Sequence, residues 1–393
     1  MKILVVSQYY YPERFSVTDI CEELVKQGHE VSVVTGRPNY GFHHILKEYK
    51  HTKYEEINGV KINRLKIAPR KLSRISIINN YLSFWFFGKR FAKHIKEKFD
   101  VVLSISLSPV ISISPALKYA KKNNVPCVLY CQDLWPESTL VTKAVRKNSL
   151  TYKALFKWSK SIYSKCDKIV ISSPSFKDYF EKELGIVNKT FNVVNQPILL
   201  SNSSEKPVIY ENNHNLVYAG NIGKIQLTDL LIDAIKLIKT KDAKLHLMGM
   251  GSELEQIKAK IAKDNLQDKV VYEGAFPIEK AETYYKNADA LIVSLKNEGY
   301  VGKTIPNKAI QYMKYGKPLV VVAEGDAKEM LKKAKGSIFA KQNPKDIAEA
   351  FDKIFALREK DQFGLNNKTY FENNFTTEKL THLLVDELMS AKK

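Results

Sequence analysis

Between Leu216 and Gln226 an apolar run (Leu216, Val217, Tyr218, Ala219) leads into Gly220-Asn221-Ile222-Gly223. A segment of helical period follows, with Leu227, Leu230, Leu231, Ala234 and Ile235. A strand, a glycine turn and a helix start offer free backbone N–H groups and a positive dipole end to a phosphate. Glycines between a strand and a helix are also ordinary turn chemistry, so the loop needs partners. A nucleoside diphosphate further requires a cation and a hydrogen-bonder for the ribose. The stretch from Lys303 to Met313 supplies both. Pro306 opens a helix at a favoured position, and Thr304 just ahead can cap it. Asn307 and Lys308 fall in the first turn, where a lysine can reach a phosphate. Gln311, about one turn on, can reach ribose hydroxyls.

His246-Leu247-Met248-Gly249-Met250-Gly251 is a second strand-to-glycine turn. Gly249 and Gly251 let backbone approach a ligand closely, whereas His246, inside a strand, reads as a satisfied core histidine. In the first half of the chain a loop follows another strand: Gln132-Asp133-Leu134-Trp135-Pro136-Glu137-Ser138. Asp133 and Glu137 are the only acids between Asp100 and Asp167. A carboxylate in a basic region beside Trp135 can orient an acceptor or stabilise developing positive charge. Tyr11-Pro12-Glu13-Arg14 follows the first strand and belongs at the same rim, since ligands of open α/β sheets sit beyond the carboxyl ends of the strands. There is no Asp-x-Asp pair, HExxH, GxSxG or GxxxxGK[ST], and the histidines lack metal-ligand spacing. No metal site and no resident cofactor are expected.

These residues need a scaffold, and the apolar runs describe one. Lys2–Ser7, Val31–Thr35, Val60–Lys66, Val101–Ile105, Pro126–Tyr130, Lys168–Ser172 and Thr190–Val194 read as strands, most of them separated by helical segments. The alternation resumes with Leu216–Ala219, Lys244–Met248, Val270–Tyr272, Ala290–Ser294 and Pro318–Val322. Continuous apolar strands alternating with helices argue two doubly wound α/β domains. The expected division is 1–200, a polar Asn/Ser-rich linker at 201–215, 216–376, and an amphipathic final helix at 377–393.

The charge is uneven. Residues 1–200 carry 32 Lys and Arg against 16 Asp and Glu, while 201–393 carry 30 against 26. An anionic partner for the first half follows. From Lys61 to Lys98 there are eleven basic residues and one acid, Glu97, around Tyr81, Phe84, Trp85, Phe86 and Phe87. On a helix Phe84, Phe87, Phe91 and Ile95 share one face. Trp85 and the cations Lys89, Arg90 and Lys93 complete the pattern of a helix lying on an anionic membrane surface; a core helix with a lysine edge has the same composition. No apolar run is long enough to span a bilayer, and Met1-Lys2 leads straight into a strand, so no signal peptide is expected. The four cysteines form no CxxC pair, which reads as reduced thiols in a cytoplasmic protein.

Taken together, VVSQYYYPE (5–13), GHEVSVVTGRPNY (28–40), CQDLWPES (131–138), YAGNIGKIQ (218–226), HLMGMGSELE (246–255) and TIPNKAIQYMKYGKP (304–318) resemble the retaining glycosyltransferases of family 4. More narrowly they look like the capsule and O-antigen branch that includes N-acetyl-L-fucosamine transferases. The resemblance spans nearly the whole chain. It implies the GT-B fold: two Rossmann-like domains facing each other across a cleft, with the last helix crossing back to the first domain. Gly220, Asn221, Gly223 and Gln226 would line the donor diphosphate, with Lys224 helping. Lys308 would contact phosphate, residue 311 the ribose, and Asp133 would lie near the anomeric carbon. The wider family has two glutamates eight positions apart where this chain has Lys303 and Gln311.

The implied activity moves a sugar from a UDP-linked N-acetyl deoxysugar to a polyprenyl-diphosphate-linked saccharide. The implied location is peripheral, at the inner face of the plasma membrane, and nucleic acid is not an expected partner. A UDP-sugar 2-epimerase or hydrolase on the same fold, or an anionic-polymer binder, are the competing readings.

Overall fold

The computed structural model describes residues 1–107, 109–141, 144–198, 206–211 and 214–392. It divides into two compact units, Met1–Leu199 with Thr377–Lys393, and Leu200–Thr376.

The first unit is built on eight strands: β1 (Lys2–Val6), β2 (Glu30–Gly36), β3 (Tyr54–Ile57), β4 (Val60–Leu65), β5 (Val101–Ser106), β6 (Cys127–Cys131), β7 (Lys168–Ile171) and β8 (Phe191–Val193). Their order is β3-β4-β2-β1-β5-β6-β7-β8. Every pairing is parallel except β3 with β4. Helices cover both faces of such a sheet, so its inner strands are apolar throughout: Ile3, Val5, Val101, Leu103, Val128 and Leu129 are all fully buried. Strand order reverses between β1 and β5, and the loops leaving those strands diverge into a crevice.

The second unit carries β9 (His214–Ala219), β10 (Ala243–Met248), β11 (Val270–Gly274), β12 (Ala290–Ser294), β13 (Leu319–Val322) and β14 (Ser337–Phe339). The order is β11-β10-β9-β12-β13-β14, parallel throughout. Its reversal lies between β9 and β12, where the loop after β9 is Gly220–Gly223.

The helix Thr377–Ser390 belongs to the first unit. It buries Leu380, Leu384 and Leu388 and packs against the helix Ser16–Lys26. Polar ties fix its register. Gln27 Nε2 donates to the Glu378 carbonyl, Lys168 pairs with Glu387, and Lys392 pairs with Asp100 at 3.3 Å. Of the stretch expected as a linker, 201–205 and 212–213 lie outside the described residues. Around them, Val208 N–H donates to the Thr283 carbonyl, and His214 and Asn215 already belong to β9.

Two elements depart from the sequence reading. The pair β3–β4 is a hairpin closed by Asn58-Gly59, both at positive φ (49° and 79°), the turn that Asn-Gly favours. The helix Arg74–His94 exists, but its faces are exchanged. Phe84 is fully buried in the core with Leu4, Val102 and Tyr119, and Phe87, Phe91 and Ile95 pack against that cluster. The aromatic side expected to enter a membrane is the core side. What the helix shows to solvent is Ile75, Ile78, Leu82 and Phe86, followed by Arg90 and Lys93.

Candidate functional site

In the second unit the glycine loop and the Lys308 helix come together at the end of β9. The helix Asn307–Met313 is anchored by Tyr312, whose buried hydroxyl receives the Ala219 N–H and donates to the Ala219 carbonyl, both at 2.9 Å. This brings Lys308 against Gly220. A Cβ on Gly220 would stand 2.9 Å from Lys308 Nζ, so the missing side chain is what admits the ammonium. Lys308 Nζ is buried, has no hydrogen-bond partner and lies 3.9 Å from the Tyr218 ring centroid. Burial without a counter-ion pushes its pKa down to about 7. A buried, unpaired cation beside a glycine turn is an anion site waiting for its anion.

The loop supplies fewer free donors than its sequence suggests. Gly220 N–H bonds the Met248 carbonyl (3.0 Å) and Ile222 N–H the Met250 carbonyl (2.8 Å). Among the described residues, the N–H groups of Asn221, Gly223 and Lys224 donate to no protein acceptor. The side chains of Asn221 and Gln226 bridge one another, Nδ2 to Oε1 at 3.1 Å, over Gly223. A Cβ on Gly223 would meet both ends of that bridge. Lys224 is exposed and opens a short 3-10 turn held by Lys296 N–H on the Ile225 carbonyl (2.7 Å). Gln311 sits beside the Tyr315 hydroxyl, and its buried amide nitrogen makes no regular hydrogen bond.

The expectations for Gly249, Gly251, Thr304 and Pro306 change here. Gly249 and Gly251 do not open backbone toward a ligand: a Cβ on either would overlap the carbonyl of Gly220 or Ile222. The second glycine turn clasps the first. Thr304 does not cap the helix; its hydroxyl donates back to the Val301 carbonyl at 2.9 Å. Pro306 stands just before the first helical residue in extended conformation, and Asn307 begins the helix, exposed. His246 is a satisfied core histidine as read, with Nδ1 2.7 Å from Glu273 Oε1 and Nε2 3.0 Å from Asn215 Oδ1.

In the first unit the loop after β6 places Asp133 with its carboxylate accepting from Ser138 and from the Leu134 N–H, and burial pushes its pKa up to about 7. Gln132 Nε2 reaches Ser16 Oγ at 3.5 Å, so this loop adjoins the one after β1. Trp135 packs edge-on against Trp158, ring centroids 6.4 Å apart. Glu137 is not an outward acceptor group: it is buried and receives the Tyr152 hydroxyl. Arg14 stands exposed on the β1 rim.

A polar network at the same edge escaped the sequence reading. Glu13 is buried, accepts the N–H groups of Asn39 (2.6 Å) and Tyr40 (2.5 Å), and is pushed up to about 7 by that burial. Asn39 Oδ1 receives Arg70 N–H and Asn80 Nδ2, and Arg70 Nη1 donates to Tyr9 and Tyr81. The signal was Asn39 in RPNY and Arg70 in the basic segment, but their pairing spans three loops that only the sheet order brings together.

Asp133 carries a testable sign. Its pKa is raised on folding, so its contribution to stability is complete below the unfolded value near 4 and is lost as pH rises through about 7. Asp133→Asn keeps the acceptor oxygen without the charge. Its melting temperature should exceed that of the parent at pH 8, by a gain of up to about 2 kcal/mol, and the gap should narrow below pH 7 and close only near pH 4. A lower melting temperature at pH 8 would contradict the assignment.

Residues 15–200 match the model of Glycosyltransferase Family 4, and residues 201–369 that of Glycosyl transferases group 1. A probable glycosyltransferase of Pseudomonas aeruginosa, WbjE, is 24% identical over 237 residues, 58% of this chain and 58% of that protein. The match thus spans little more than half of that relative's length. A glycosyltransferase of Methanocaldococcus jannaschii is 23% identical over 381 residues, 91% of this chain and 89% of its own. Among solved structures, the sucrose-phosphate synthase of Thermosynechococcus elongatus superposes with a TM-score of 0.77 at 17% identity, covering 99% of both chains. Anabaena HepE in complex with UDP gives 0.69 at 11% identity, over 99% of this chain and 100% of that one. At such identities the structures speak for the fold. The two family regions run end to end over both sheets, and the chain belongs to the glycosyltransferases of GT-B architecture.

Proposed function

We propose that the chain transfers a sugar from a UDP-linked donor, an N-acetyl deoxysugar such as N-acetyl-L-fucosamine, to a polyprenyl-diphosphate-linked saccharide during bacterial capsule or O-antigen synthesis. The observation that carries this reading is the Lys308 ammonium, buried and unpaired against Gly220. Breaking the bond between the sugar's anomeric carbon and the diphosphate leaves negative charge on the leaving group. Lys308 and the free N–H groups of Asn221, Gly223 and Lys224 are donors of the kind that stabilise such charge. Gln311 offers its amide to ribose hydroxyls, and Asp133 with Trp135 serves the acceptor. Configuration is retained, as in the family resembled. UDP is favoured because HepE, of the same fold, was solved with it. The protein works peripherally at the cytoplasmic face of the plasma membrane.

Calorimetric titration with UDP, GDP and ADP in the absence of divalent metal tests the donor. Selective heat with UDP is the expected result. No binding of any nucleotide would overturn the reading. Hydrolysis of a UDP-sugar at the same rate with and without lipid-linked acceptor would point to the hydrolase instead.

A further inference from the structure

We propose that a groove between three helices of the first unit seats the headgroup of an anionic phospholipid and so fixes this unit on a bilayer. The inference deepens the membrane reading above and rests on it. The groove has a volume of about 410 Å³ and lies between the helices Arg74–His94, Ser114–Asn123 and Leu150–Tyr163. Trp85 and Trp158 stand in its walls with Lys89, Lys118, Lys121 and Lys165 around them, and Leu117 and Ile162 add apolar lining.

Its charge is what separates it from an ordinary surface crevice. No carboxylate lines it, and none of the four lysines has an acidic partner among the described residues. Elsewhere on the unit such partners exist, as for Lys2 with Glu30 at 3.2 Å or Lys61 with Glu97 at 3.9 Å. Lys89 lies over Trp85, its Nζ 4.7 Å from the ring centroid. Four unpaired ammonium groups around indole rings suit a phosphate whose neighbours are acyl chains.

A second feature continues it. Leu72, Ile75, Ile78, Leu82 and Phe86 are all exposed, Leu72 and Ile75 at 82% and 73%. From Ile75 onward they occupy the solvent side of the helix Arg74–His94, and Leu82, Trp85, Phe86 and Lys89 are neighbours on successive turns. Apolar side chains therefore enter the acyl region where the lysines meet headgroups. No helix among the described residues is long and apolar enough to cross a membrane, so this contact is superficial. It lies beside the acceptor loop, because Trp158 in the groove wall touches Trp135.

The chain has three tryptophans, Trp85, Trp135 and Trp158. Two line the groove and the third abuts it, so tryptophan emission reports chiefly on this region. Vesicles of phosphatidylglycerol and phosphatidylcholine in equal parts should shift the emission to the blue, and brominated acyl chains should quench it. Pure phosphatidylcholine should do neither. Lys118→Ala/Lys121→Ala should weaken partition onto the mixed vesicles about 30-fold, from roughly fivefold per lysine. Lys263→Ala/Lys269→Ala, which removes two exposed lysines of the second unit, should leave it within about twofold. Equal binding to both vesicle types, or equal loss in the two double variants, would overturn the groove. UDP titration of the same samples separates the two readings. UDP binding without vesicle binding removes the groove and keeps the donor site; vesicle binding without UDP binding does the reverse.

Discussion

Replacing Lys308 with alanine is expected to weaken UDP binding by about 30- to 150-fold, the loss of a charge-assisted hydrogen bond worth roughly 2–3 kcal/mol. The fold should not suffer. An ammonium buried without a partner is a cost to the native state, so Lys308→Met should melt at or above the parent temperature. The pH dependence has a definite sign. The unfolded lysine titrates near 10.5 and the folded one near 7. Stability is therefore highest above pH 10.5, where neither state carries the proton, and falls as pH drops toward 7. Lys308→Met should lose this slope.

A bound diphosphate reverses the shift, because an adjacent anion favours the charged lysine. Binding at pH 8 should then take up close to one proton, and UDP affinity should decline by up to about tenfold per pH unit above 7. Calorimetry in buffers of different ionisation enthalpy measures the uptake. Zero uptake at pH 8 in the parent, or unchanged affinity in Lys308→Ala, would remove Lys308 from the phosphate site.

The second large effect concerns Gly249. Gly249→Ala should destabilise the second unit by about 3–5 kcal/mol, combining overpacking with a backbone that side chains rarely adopt. Its φ is +128°, and the added methyl would overlap the Gly220 carbonyl. The methyl must displace one turn from the other, and the Gly220 N–H bond to Met248 goes with it. Gly41→Ala is the control. Gly41 has φ +80° and nothing within 4 Å of the added atom, so only the left-handed conformation is penalised, about 1 kcal/mol. Thermal melts of the two variants should differ by many degrees. Equal melts would show that the glycine clasp bears little of the unit's stability.

Much of the sheet architecture was legible because parallel strands covered on both faces are apolar runs, as KILVV and LVVV are. The elements missed are those without that signature. Strand β3 reads YEEI, an edge with one antiparallel neighbour; the Asn58-Gly59 pair was the available signal. Strand β14 has three residues. The helix Arg74–His94 was misread for another reason. It is apolar on two sides, and periodicity shows that two stripes exist without showing which one meets Val102 and Tyr119.

The candidate site divides in the same way. The company of Gly220 and Lys308 follows from motif and strand order. The direction in which Gly249 and Gly251 lack a side chain does not, since it depends on the twist between β9 and β10. Glu137 and Glu13 look alike in sequence, both in loops beside proline. Burial against Tyr152 in one case, and against the Asn39 and Tyr40 amides in the other, decides what each carboxylate does.

The helix Thr377–Ser390 has a consequence for how the protein comes into being. The first unit is not contiguous in the chain: its own last helix follows the whole of Leu200–Thr376. A ribosome adding about 5–20 residues per second needs roughly 10–35 seconds to pass through that insertion. During that interval the helix Ser16–Lys26 has been made but its cover has not. The nascent first unit must wait with part of its apolar surface bare, a window in which a chaperone or a second nascent chain can reach it.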